Sequence, residues 1–199
     1  MLEQRIQQHF IDSADLKYQS AQALGKPVAA AVQALLACVT SGGKVLACGH
    51  GGSATLAQHF AAMFVGRFER ERPELGALAL TADGAILTAL ARSDDGAQVF
   101  ARQVRALGQA GDVLLAISTS GNAAPVLRAL EAAHEREMTV VALTGHSGGE
   151  MGQALRETDV HVCVPHERMA RIHEVHGLVL HCLCDGVDTQ LLGEQELSP

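Results

Sequence analysis

Aromatic side chains are scarce in this chain: its 199 residues include no Trp, one Tyr and five Phe. A core of stacked rings is excluded, and Ala, Leu, Val and Ile must fill the interior, which suits helices packed on an aliphatic sheet. An excess of basic charge is also missing, with 15 Lys and Arg against 22 Asp and Glu, a net of −7. That leaves no broad basic footprint for nucleic acid, so direct binding to it is not expected. No apolar run approaches the roughly 20 residues of a membrane span. Residues 1–24 carry charge throughout, without the apolar centre of a signal peptide. Both features lead us to expect no membrane association and a cytoplasmic location. The five cysteines are odd in number, and only Cys182 and Cys184 lie close together. Cys-Leu-Cys is not a Cys-x-x-Cys motif, so all five read as reduced, mostly buried small hydrophobes. What the chain has in surplus is histidine, ten in all.

Five short aliphatic runs read as parallel strands covered on both faces: Lys44–Cys48, Ala77–Thr81, Val113–Ser118, Thr139–Thr144 and Val160–Val164. Between them, Ala54–Val65, Gln98–Leu107 and Ala124–Glu135 carry apolar residues at three- and four-residue spacing, as helices do. Residues 1–41 read as a helical hairpin split near Gly25-Lys26-Pro27, and residues 168–192 as a long closing helix. The expectation is one α/β domain over residues 1–199. Residues 44–164 form a doubly wound, three-layer αβα core around a five-stranded parallel sheet, flavodoxin-like, with the hairpin added.

The first strand runs into Gly49-His50-Gly51-Gly52-Ser53 and then a helix. Glycines let a ligand approach the backbone, and the helix N-terminus offers free N–H groups to an anion. The loop is neither a dinucleotide GxGxxG, since the sixth position is Ala54, nor a Walker A loop. The third strand ends in Ser118-Thr119-Ser120-Gly121-Asn122, three hydroxyls where a simple cap needs one. Both loops fall at carboxyl ends of parallel strands, where this architecture binds ligands. A phosphate is the expected anchor.

The segments VLACGHGGS (45–53), QHFA (58–61), RFERERP (67–73), RALGQAGDVLLAISTSGN (105–122), VVALTGHSGG (140–149) and ARIHEVHGLVLHCLCD (170–185) resemble a SIS (sugar isomerase) domain. More narrowly they are similar to the branch holding phosphoheptose isomerases and the non-catalytic replication regulator DiaA. The resemblance implies a homotetramer with phosphosugar sites shared between subunits. It assigns phosphosugar contacts to His50, Gly51, Gly52, Ser53, Arg92, Ser93, Ser118, Thr119, Ser120 and His173. It also assigns the catalytic acid to His181.

The same resemblance exposes departures. The catalytic Glu of the isomerases would fall at Met63, whose thioether accepts no proton near neutrality; losing such a base costs ~10²–10⁴-fold. An Asn is replaced by His50, an Asn-Asp pair by Arg92-Ser93, a Ser by Ala123 and a Gln by His173. The expectation is therefore a phosphosugar-binding protein with little or no isomerase activity, a DiaA-like regulator with DnaA as its partner. The alternative is a phosphoheptose isomerase with a relocated base, for which Asp94 or Glu174 could supply the carboxylate. Some isomerases of the family hold zinc at the positions of His59, Met63, His173 and His181. The expectation is that no cofactor is required, with His59, His173 and His181 as possible zinc ligands. His173 and His181 lie about 12 Å apart along a helix axis, at ~1.5 Å per residue, which works against a shared ion. His176 faces elsewhere and reads as helix surface or subunit contact. Arg67–Arg72, alternating in sign, reads as a solvated, self-paired face. The stripe Val175, Leu178, Val179, Cys182, Leu183, Val187 and Leu191 reads as the apolar face of the closing helix.

Overall fold

The computed structural model describes residues 1–92 and 96–194. In chain order the elements are α1 (Leu2–Thr40), β1 (Val45–Gly49), α2 (Gly52–Val65), β2 (Ala77–Ala79), α3 (Gly84–Ala91), α4 (Val99–Leu107), β3 (Val113–Ser118), α5 (Ala124–Glu135), β4 (Thr139–Gly145), α6 (Gly149–Ala154), β5 (Val160–Val164) and α7 (Met169–Leu192). The five strands are parallel in the order β2-β1-β3-β4-β5. This is the flavodoxin-like order, and its reversal between β1 and β3 is the switch point at which ligands bind.

Alternate residues of each strand serve separate cores, because successive side chains point to opposite faces. Val45, Ala47, Val113, Leu115, Ile117, Val141, Leu143, Val162 and Val164 pack under α1, α2 and α7. Leu46, Cys48, Leu114, Ala116, Val140 and Ala142 pack under α4 and α5. The aliphatic αβα sandwich is thus as expected. β2 is shorter than the sequence run, and it is an edge strand with Leu78 exposed. α3 went unnoticed in the sequence, although Asp83 signals it: the carboxylate accepts from the Ala85 and Ile86 N–H groups at 2.8 and 3.0 Å, an N-cap. The cysteines are free, with Cys38, Cys48 and Cys184 buried.

The helical hairpin is not formed. α1 is one helix of 39 residues that carries Pro27 inside it. Its buried residues, Leu16, Ser20, Leu24, Ala31, Val32, Leu35 and Cys38, stay on one face across the proline. A mid-helix proline costs ~3 kcal/mol. Each leucine buried beside it returns ~1.5–3 kcal/mol, so packing on the sheet and α7 overrides the local break. By length and composition α1 could also cross a membrane, contrary to the expectation that no apolar run approaches a span. Core helices meet the same criterion, and this one lies against α7 and β5.

Candidate functional site

The β1 loop turns at Gly51, which has φ +61°, and feeds α2. Ser53 opens that helix and is buried, and its hydroxyl lies 3.1 Å from His173 Nε2 on α7. The contact dictates the glycine before it: a Cβ on Gly52 would sit 2.6 Å from His173 Cε1. Burial lowers the His173 pKa, so the ring is held neutral. It shares a hydrogen with Ser53 in one tautomer or the other.

The β3 loop places Ser118 in the interior, Thr119 half-buried and Ser120 at the surface. Ser120 Oγ accepts from the Asn122 N–H at 3.2 Å. The loop is locked to the β4 loop, since Asn122 Oδ1 accepts from Glu150 N–H and Gly121 O from Met151 N–H, both at 2.9 Å. Gly121, at φ +68°, is required there because a Cβ would fall 1.9 Å from the Gly148 carbonyl oxygen. Between the β1 loop and the faces of α3, α4 and α5 opens a cleft of about 330 Å³ that includes His50, Gly51, Thr81, Ala91 and Pro125 in its lining. Arg92 caps the end of α3, exposed. Ser93 and Asp94 lie outside the described residues.

About two turns further along the α2–α7 seam is the second cluster. His59 Nε2 and His181 Nε2 are 3.2 Å apart, and their rings meet edge to face at 5.5 Å between centroids. Phe68 lies against the far side of His181, its ring centroid 5.5 Å away. Met63, one turn beyond His59 on α2, is buried in the apolar core. Glu174, a possible relocated base, is not at this site. It turns toward α1, where its carboxylate pairs with Arg171 at 2.5 Å beside a cavity lined by His9, Phe10, Ser13 and Lys17.

The three-imidazole zinc set does not come together. His173 is turned to Ser53, two helical turns from the His59–His181 pair. Among the described residues no three His, Cys, Asp or Glu side chains converge as metal ligands. Zinc is held by Cys, His, Asp or Glu, and a thioether in the carboxylate's place supplies none of these. The residues therefore do not fit the family's ion. His176 is another correction: it is fully buried, and its Nε2–H donates to the Thr144 carbonyl at 2.9 Å. It lies inward because Val175, Val179, Leu183 and Val187 press α7 onto the sheet, while Leu178, Cys182 and Leu191 of the expected stripe stay exposed.

A glycine turn and a hydroxyl-rich turn at the switch point of a 2-1-3-4-5 sheet are the marks of a phosphosugar-handling fold. The chain belongs to the SIS domain family, whose profile matches residues 9–145. It is similar over its whole length to the phosphoheptose isomerase of Methylibium petroleiphilum, 67% identical over 198 residues, covering 100% of this chain and 99% of the relative. The phosphoheptose isomerase of Azoarcus sp. (strain BH72) is 58% identical over 192 residues, covering 96% and 98%. Among solved structures, that of phosphoheptose isomerase GmhA from Neisseria gonorrhoeae superposes with a TM-score of 0.90 at 48% identity, covering 95% of this chain and all of that one. The phosphoheptose isomerase of Francisella tularensis gives 0.92 at 43% identity, covering 95% and 99%.

These relatives overturn the expectation of a non-catalytic, DiaA-like regulator acting on DnaA. That expectation rested chiefly on Met63, with the departures at His50, Arg92-Ser93, Ala123 and His173 beside it, and identity of 67% across the full chain to an isomerase outweighs these few side chains.

Proposed function

We propose that the chain is an aldose–ketose isomerase of phosphorylated heptoses, interconverting sedoheptulose 7-phosphate and D-glycero-D-manno-heptose 7-phosphate. The observation that carries the reading is full-length identity to phosphoheptose isomerases, 67% in one case. The phosphate sits between the β1 and β3 loops, taken by N–H groups at the start of α2 and by the Ser118, Thr119 and Ser120 hydroxyls. Isomerisation moves a proton between neighbouring carbons, which needs one group to accept it and one to donate. Imidazole does either near neutrality. At 3.2 Å the His59 and His181 Nε2 atoms are within hydrogen-bond reach of each other, one ring donating and the other accepting according to tautomer. Met63 leaves proton transfer to that pair.

The proposal extends to a cytoplasmic homotetramer. Leu2, Phe10 and Tyr18 on α1 stand 73%, 75% and 78% exposed, an apolar edge that assembly would cover.

Incubating the pure chain with sedoheptulose 7-phosphate in heavy water tests the function. The expected outcome is conversion to the aldose with deuterium at the neighbouring carbon, the former carbonyl carbon that receives a proton. His59→Gln and His181→Gln should each slow turnover by ~10²–10⁴-fold. Absence of conversion by the unaltered chain refutes the proposal.

A further inference from the structure

The charged run after α2 does not behave as one face. Arg67 and Glu71 pair with each other at the surface, as alternating signs predict. Arg72, by contrast, turns inward until its side chain is 0% exposed, and its Nε donates to Asp188 Oδ1 at 2.5 Å. Asp188 is itself 2% exposed. The rest of the guanidinium caps α2: Nη2 donates to the Met63 carbonyl and Nη1 to that of Phe64, both at 2.9 Å, with Pro73 O at 3.2 Å. These last carbonyls of the helix have no partner within it and carry the negative end of its dipole.

The location gives the contact its meaning. Met63 lies one turn beyond His59 on α2, and Asp188 lies two turns beyond His181 on α7, at ~3.6 residues per turn. Both steps keep to one helix face, so the bridge Met63–Arg72–Asp188 crosses the same seam as the His59–His181 contact. Stability alone does not account for the pair. A buried ion pair is often no better than apolar residues of the same volume. This one also leaves Asp188 Oδ2 without a partner among the described residues. What a planar fork of five donors supplies, and an apolar side chain cannot, is a directional tie between two helices.

We infer that Arg72, held by Asp188, is a positioning residue that sets α2 against α7 so that the His59 and His181 imidazoles meet at proton-transfer distance. The kinetic consequence rests on the isomerase reading above, whereas the geometric one does not. A misplacement of about 1 Å costs ~10²-fold in rate, so the tie is expected to act on turnover rather than on binding.

The test uses the full chain with Arg72→Lys, Asp188→Asn and the double variant Arg72→Met/Asp188→Leu. The double variant replaces the ion pair by apolar volume, which offsets the loss of the pair itself, and gives up the bonds to Met63 and Phe64. Long-range proton–nitrogen spectra report the imidazoles of His59 and His181, identified by loss of their signals in His59→Gln and His181→Gln. His134, paired with Asp159 away from the seam, is the internal control. In the folded members of the series, as judged by thermal melting, the His59 and His181 signals should move while those of His134 stay. On sedoheptulose 7-phosphate, kcat should fall by ~10²-fold with KM changed less than about two-fold, as for an interaction made only in the transition state. Unmoved His59 and His181 signals in the folded double variant overturn the inference. Moved signals in a chain whose unaltered form turns over no sugar support the tie and remove the isomerase reading instead.

Discussion

His176 uses its Nε2–H on the Thr144 carbonyl and leaves Nδ1 buried without a partner among the described residues. Desolvation, reinforced by nearby His173, lowers its pKa from 6.5 to about 4. The folded chain therefore keeps this ring neutral, while the unfolded chain protonates it below pH ~6.5. The stability this residue confers is fully present above pH ~6.5 and is lost as pH falls toward 4. The span of the shift sets the loss at about 3 kcal/mol. Urea unfolding at pH 7 and pH 4.5 should show a drop that is roughly 2–3 kcal/mol smaller in His176→Gln, whose amide can still donate to Thr144. An equal drop in both would place the acid sensitivity elsewhere. Nothing in the sequence distinguished this histidine from its neighbours. Its face of α7 is buried by the end of β4, a segment more than thirty residues away in the chain.

Element by element, the central strands β1, β3 and β4 could be read because each is a nearly continuous apolar run buried on both faces. α1 could not be read correctly. Gly25-Lys26-Pro27 is a local stop signal, whereas the reason to continue, the face running from Leu16 to Cys38, is satisfied only by α7 and β5. The proline is thus tolerated rather than needed. Pro27→Ala should restore a backbone hydrogen bond and raise the unfolding free energy by about 1–3 kcal/mol, read as a higher denaturation midpoint with an unchanged slope. A lower midpoint would mean that the helix depends on the bend. The two ligand loops were also legible, since Gly49–Ser53 and Ser118–Asn122 each combine strand end, glycine and hydroxyl. Their tie through Asn122 and Glu150 was not, because it joins loops that sequence alone leaves separate.

For the whole molecule, the residues of the site were visible in the sequence but their grouping was not. His59, His173 and His181 look like one set by family position. Folded, they divide into a Ser53–His173 contact and a His59–His181 contact. Helix rise already hinted at the division; which partner each ring takes depends on how α2 crosses α7. The exposed apolar edge of α1 belongs to this scale as well. If assembly covers it, Phe10→Glu should shift sedimentation from a tetramer toward smaller species, and an unchanged profile would exclude α1 from the contact. One feature of the loops reaches further. Gly52 is held empty by the His173 ring and Gly121 by the Gly148 carbonyl, so neither site can drift to another residue without moving a neighbour. His50 and Ala123, which the family resemblance marks as departures, flank these fixed points in the chain rather than occupy them. Evolution can re-equip such a cleft for a different sugar while its anchorage stays the same.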